Sequence, residues 1–320
     1  MKILLTILFL LNTILLANTY PSKPITLVVG LGKGGSSDRM ARNMAIFLEK
    51  ELNTSINIIN KEENASLEAA NYVLNQEDDG YTIFASTFAP YLANTILSGN
   101  AKFTFDDFHF MNIQWFDYDL ISVNKDSKIS SITELLNEIK NSSKKMKIAV
   151  IHKSSGHLTI KLLLEKFNIP FDKVEFEFFV GGKLARNALI ESKVDLLVIA
   201  AQGSEKYRND IKPLAVISDK RSRRWDAPTL NEAIENTNIS IPIINGPMRG
   251  FAVSKKFKEK HPEKYLLLEK AIERILAKRS NRQILKEKNI GYTWIGDKRS
   301  KEILDNTYDL FERYNYLFDK

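Results

Sequence analysis

Four glycines fall within six residues at Gly30-Leu31-Gly32-Lys33-Gly34-Gly35, and Ser36, Ser37 and Asp38 follow at once. Glycine lets a loop take positive φ and lets a ligand approach the backbone closely. The segment before the loop, 25–29, reads as a buried strand. After it, Met40, Met44, Phe47, Leu48 and Leu52 repeat at helical spacing. The loop therefore opens a helix, whose first N–H groups lack partners and carry the positive end of the dipole. A strand, a glycine loop and a helix start together make an anion site. The candidate ligand contacts here are Leu31, Gly32, Lys33, Gly34, Gly35, Ser36 and Asp38.

The spacing Gly30-x-Gly32-x-x-Gly35 also matches the dinucleotide fingerprint, which requires an acidic residue about 20 positions on. Here the second strand ends at Asn60-Lys61, and Glu62 lies 27 residues beyond Gly35. Asp38, in the first helical turn, competes with a pyrophosphate for the same amides. A nucleotide is the poorer fit, and an exported phosphate- or nucleotide-binding enzyme is the weaker alternative.

A second strand–loop–helix passage, Ile151-His152-Lys153-Ser154-Ser155-Gly156-His157, repeats this logic with hydroxyls in place of glycines. Ser154, Ser155, Gly156 and His157 join the candidates, with Ser86 and Thr87 after the third strand and Gln202 after strand 194–200. Two helix N-termini facing each other across a cleft would suit the two ends of a dianion. Signals for catalysis are poor. The four histidines form no metal-ligand spacing, no GxSxG elbow occurs, and there is no cysteine. No enzyme activity, cofactor or metal is expected.

The elements that must position these residues alternate between short β-type runs and helical patterns, as in βαβ units around a mainly parallel sheet. Strands are predicted at 25–29, 56–59, 81–85, 120–123, 147–151, 174–179, 194–200, 213–217 and 291–295. Helices are predicted at 38–52, 67–74, 132–140, 157–167, 184–192, 261–278 and 300–318. The Phe- and Tyr-rich stretch 103–118 reads as core or cleft wall. With 320 residues, 44% hydrophobic and 27% charged, the chain suits about two packed domains. Residues 1–17, with Lys2 and an apolar run too short to span a bilayer, are expected to be a secretory signal. A formal net charge of +7 favours anionic partners, but no basic patch interleaved with aromatics suggests nucleic acid. Asn53 and Asn64 each lie in an E-x-N-x-S pattern that a periplasmic glycosylation system would accept.

Several stretches closely resemble the Bug family, the TctC-like binding proteins of tripartite tricarboxylate transporters. They are Tyr20-Pro21-Ser22-Lys23-Pro24-Ile25, Gly34-Gly35-Ser36-Ser37-Asp38-Arg39, Asp79-Gly80-Tyr81-Thr82, Ser155-Gly156-His157-Leu158 and Ala227-Pro228-Thr229-Leu230. The resemblance spans essentially the whole chain after the signal. It implies a two-lobed α/β Venus-flytrap fold of type II with mainly parallel sheets. Lobe 1 would comprise 18–121 plus 218–320, and lobe 2 would comprise 122–217. It also implies a monomeric periplasmic protein that grips a small mono-, di- or tricarboxylate and delivers it to the large and small permease subunits. A sensor role for a membrane signalling partner would share that fold. Lys33 and Arg249, at Met248-Arg249-Gly250-Phe251, depart from the family pattern and would add cationic contacts.

Overall fold

The computed structural model describes residues 20–320; the expected signal segment lies outside the described residues. The chain runs through β1 (Ile25–Val29), α1 (Ser36–Leu52), β2 (Ile56–Asn60), α2 (Leu67–Leu74), β3 (Thr82–Ala89), α3 (Tyr91–Leu97) and β4 (Phe108–Phe116). It continues with β5 (Asp119–Asn124), α4 (Ile132–Asn141), β6 (Met146–Val150), α5 (Ser155–Lys166), β7 (Val174–Phe178), α6 (Gly182–Ile190), β8 (Leu196–Ala200) and β9 (Ile211–Ile217). Then follow α7 (Leu230–Ala233), β10 (Met248–Ser254), α8 (Lys255–Lys260), α9 (Pro262–Ala277), α10 (Arg279–Glu287) and α11 (Gly296–Tyr314).

Two five-stranded sheets result, ordered β2-β1-β3-β10-β4 and β7-β6-β8-β5-β9. Each has three parallel strands, then one antiparallel strand that arrives from the other half of the molecule. Only Asp117 and Tyr118 separate β4 of the first sheet from β5 of the second, and the return path runs from β9 to β10 through 218–247. This is a two-sheet α/β architecture of the periplasmic-binding-protein kind, with helices on both faces of each sheet.

Amphipathic spacing explains the layers. Met40, Met44 and Leu48 of α1 pack with Leu268 and Ile272 of α9 on one face of the first sheet. Phe84, Phe88 and Phe110 fill the other face with Leu92 and Leu304, their rings edge-to-face at 5.0–5.3 Å. Leu135 and Ile139 of α4, with Leu158 and Leu162 of α5, cover one face of the second sheet. Leu230, Ile234, Ile241 and Ile244 join that same core, as do Phe311 and Leu317 from the C-terminal segment. Helix α11 therefore starts in one core and leads into the other.

The structure departs from the sequence reading in several places, among them the unpredicted helices α3, α7, α8 and α10. The aromatic stretch contains a full strand, β4, and Met248–Ser254 forms a central strand with every residue buried. Residues 291–295 do not form a strand. They run beside β4, bonding from Thr293 N to the Gln114 carbonyl and accepting from the side chains of Asn112 and Gln114, without a ladder.

Candidate ligand-binding site

The loop between β1 and α1 is held by one buried carboxylate. Asp38 accepts from Gly34 N at 2.9 Å, from Arg42 Nε at 2.9 Å and from Asn60 Nδ2 at 2.9 Å. Asn60 also donates to the Leu31 carbonyl. Gly34 takes φ +77°, a conformation that disfavours any Cβ. Asp38 is thus spent on the loop itself. No side chain caps α1, and Arg39 N, bonded to the Gly35 carbonyl, is the first amide to reach back. The N–H groups of Ser36, Ser37 and Asp38 are left without intrahelical partners, aimed past Gly35.

The hydroxyls of Ser86 and Thr87 are buried and paired within the protein. Ser86 bonds Ser66, which donates to the Gly30 carbonyl, and Thr87 bonds Ser37 at 2.9 Å. They fasten the end of β3 to the loop. Lys33 is exposed at the loop tip.

Arg249 reaches the start of α1 from β10. The register of β10 shifts on both sides of Arg249, against β3 and against β4, and such bulges re-aim a side chain. Gly250 permits the bulge, because a Cβ there would sit 2.1 Å from the Asn112 carbonyl. The guanidinium donates from Nε to Ser36 Oγ at 2.6 Å and lies 4.6 Å over the Trp115 ring. Arg249 is 6% exposed, and burial lowers its pKa. Its attraction to Asp117, Tyr91 and Asp119 opposes that shift, yet it forms no ion pair among the described residues.

The second jaw differs. Ser154 Oγ accepts from His157 N, and Ser155 donates its hydroxyl to Asp119 of β5. Asp119 also accepts from Gly156 N, so the chain's own carboxylate fills the N-terminus of α5. Burial pushes Asp119 up to about 7, with Asp117 raising it further and the bonds from Ser155 and Gly156 opposing. The His157 ring packs 4.6 Å from Phe176 and beside Phe178 and Phe318. Its Nδ1 accepts from Lys153 N, and burial lowers its pKa to about 3, so the ring is neutral. Among the predicted contacts, the structure therefore brings Ser36 and Arg249 together, places Asp38, Ser86 and Thr87 behind them as supports, and sets His157 in an aromatic nest.

Gln202 stitches the halves at their seam. Its Oε1 accepts from Trp115 Nε1 at 2.6 Å, its Nε2 donates to the Asn289 carbonyl and its N–H to Asp117. Across the cleft Asn94 donates to the Lys153 carbonyl, so the two halves are in contact. A cavity of about 180 Å³ opens at this seam, bordered by Trp115, Asp117, Tyr118, Gln202 and Arg224. Sequence reasoning missed Trp115, Asp117, Asp119 and Tyr91. Asp119 directly follows the aromatic run, and nothing local distinguishes it from a turn residue.

Gly35 has φ −66° and ψ 171°, extended backbone that any residue adopts. A Cβ there would lie 3.0 Å from the Gly32 carbonyl, close enough to require a small adjustment. Gly35→Val is expected to keep the fold, with a melting temperature within a few degrees, while its branches cover the amides of Ser36 and Ser37. Affinity for a carboxylate should fall at least about 10-fold by calorimetry; an unchanged Kd would remove these amides from the site.

Comparison with known proteins agrees with this architecture. No protein-family model matches the chain. A UPF0065 protein of Bordetella pertussis is 22% identical over 228 residues, 71% of this chain and 70% of that protein. Matches to the curated relatives span between 65% and 70% of their own lengths. A TctC solute-binding protein from Polaromonas shares 25% identity, covering 93% of this chain and 99% of its own, with a TM-score of 0.74. MatC from Rhodopseudomonas palustris, solved with bound malate, is 19% identical with a TM-score of 0.72, covering 93% of this chain and all of its own. The class is a two-lobed α/β binding protein, not an enzyme. Within that class, the chain is similar to Bug-type, TctC-like binding proteins.

Proposed function

We propose that this protein captures a small organic carboxylate between its two sheets, performs no chemistry on it, and hands it to a membrane permease of the tripartite tricarboxylate type. The observation that carries the reading is the uncapped N-terminus of α1 with the buried, ion-pair-free Arg249 guanidinium beside it. A buried charge is costly unless it is paired, and Arg cannot shed its proton. A ligand carboxylate supplies the missing partner, taking two N–H bonds from the helix and one or two from the guanidinium. The malate bound by MatC supports the same chemistry.

In this reading the two sheets belong to lobes that hinge at Asp117-Tyr118 and within 218–247, the second lobe starting with β5 at Asp119 and running to Ile217, three residues earlier than 122–217. The bonds at Gln202 and from Asn94 to Lys153 hold the lobes shut and exclude water from the charged groups. The protein works as a monomer in the periplasm after loss of its signal segment. That among the described residues no helix is long and apolar enough to cross a membrane agrees with this placement.

Thermal-shift screening of the purified protein tests the reading. An organic acid at 100 times its Kd should stabilise the fold by about 2.7 kcal/mol. Stabilisation by nucleotides alone, with every carboxylate silent, would overturn it.

A further inference from the structure

The two helix N-termini that face the cleft are not equivalent. Helix α1 is open, whereas α5 is already closed by Asp119, which accepts from Ser155 Oγ and Gly156 N. A second ligand carboxylate cannot take the α5 amides without displacing that side chain. It would also meet a carboxyl group that is 2% exposed, with Asp117 nearby. Like charges at close range in a dry site exclude each other.

The groups facing Asp119 are Asp117 in the crossover, Arg249 on β10, Tyr91 at the start of α3, and Ser155 and Gly156 on α5. Arg249 is the cation with the largest effect on Asp117; Arg186, from α6, has a smaller one and donates to Ser204 and to the Ala200 carbonyl. The Tyr91 hydroxyl has no hydrogen-bond partner among the described residues. Once a ligand carboxylate neutralises Arg249, Asp119 is left without a cation. The charge pattern across the cleft is then a cationic jaw opposite an anionic one.

We infer that the ligand is a zwitterion, an amino acid whose carboxylate meets Arg249 and α1 while its ammonium meets Asp119 and the Tyr91 hydroxyl. This rests on the reading of α1 and Arg249 as the carboxylate grip, and narrows it from organic acids in general to aminated ones. The ammonium has three donors, which suit a carboxylate and a phenol oxygen together. Two complementary pairs then replace one pair and one repulsion.

Calorimetric titration of the purified protein with butyrate, succinate and γ-aminobutyrate compares ends that are apolar, anionic and cationic at one chain length. A parallel set compares L-α-amino acids with their desamino acids. The aminated member should bind at least about 10-fold tighter than its unaminated partner. Asp119→Asn, which keeps the shape, removes the charge and exchanges one acceptor for a donor, should erase that advantage by costing the aminated ligand at least about 10-fold more than the plain acid. Lowering the pH from about 8 to about 5.5 should weaken the aminated ligand and not the plain acid, because the Asp119 carboxylate is lost on protonation. Tighter binding of plain acids or dicarboxylates, or an equal loss of both classes in Asp119→Asn, would overturn the zwitterion inference and leave the carboxylate reading standing. Failure of every acid to bind would overturn both.

Discussion

Arg249→Met is expected to raise the Kd for the bound acid about 100-fold, roughly 2.7 kcal/mol, with both sheets still folded. The magnitude follows from losing one or two charge-assisted hydrogen bonds, each contributing about 1.5–3 kcal/mol. Methionine keeps most of the volume against Trp115, while removing the guanidinium charge withdraws its attraction on the buried Asp117 and Asp119 carboxyls and lets their pKa values rise further. The fold also loses the contact with the Trp115 ring and the bonds to Ser36 Oγ and to the Pro247 carbonyl. Arg249→Lys should recover only part of the affinity, since an ammonium cannot present two parallel donors. Calorimetry on the variants, with circular dichroism to check folding, decides the matter. An Arg249→Met protein that binds normally would show that the guanidinium is structural.

Asp38→Ala should cost about 3 kcal/mol of stability and abolish binding together, since one carboxylate satisfies Gly34 N, Arg42 and Asn60. Arg42 is half-exposed and its ion pair is discounted for screening. The bonds from Gly34 N and Asn60, which hold the loop shape, carry most of the effect. Burial pushes the Asp38 carboxyl up, but the bonds from Arg42, Gly34 and Asn60 outweigh it and hold the pKa below its ordinary value. A depressed folded-state pKa gives stability that is present above the unfolded value, about 3.9, and lost as pH falls through the folded one. Urea melts between about pH 7 and pH 3 should therefore show an acid limb that is shallower in Asp38→Asn than in the parent. Equal slopes would mean that Asp38 adds nothing to acid lability.

Short βα units were legible because their signals are local. The alternation of β-type runs with 3.6-residue periodicity located β1, β2, α1, α2, α4, α5, α6, α9 and α11, and Gly34-Gly35-Ser36 marked the open helix start. The strands β4 and β10 were not legible as strands for a physical reason. β10 lies inside the five-stranded sheet, and β4 at its edge is covered by α11 and by residues 291–295, so nearly all positions of both are buried and neither alternates apolar with polar residues. An arginine and a glycine in β10 look like loop residues until the neighbouring strands explain them.

The glycine loop with its free amides, and the capped start of α5, follow from residues within one turn of each other, and the chain by itself determined them. Tertiary structure alone decided which jaw stays open. Asp119 is 36 residues from Ser155, Arg249 is 213 residues from Ser36, and Trp115 is 87 residues from Gln202. The crossover at Asp117-Tyr118 swings Asp119 onto the second helix, and a bulge in the returning strand turns Arg249 toward the first. Charge in a dry cleft depends on what is brought within a few ångströms, and here strand order set those distances.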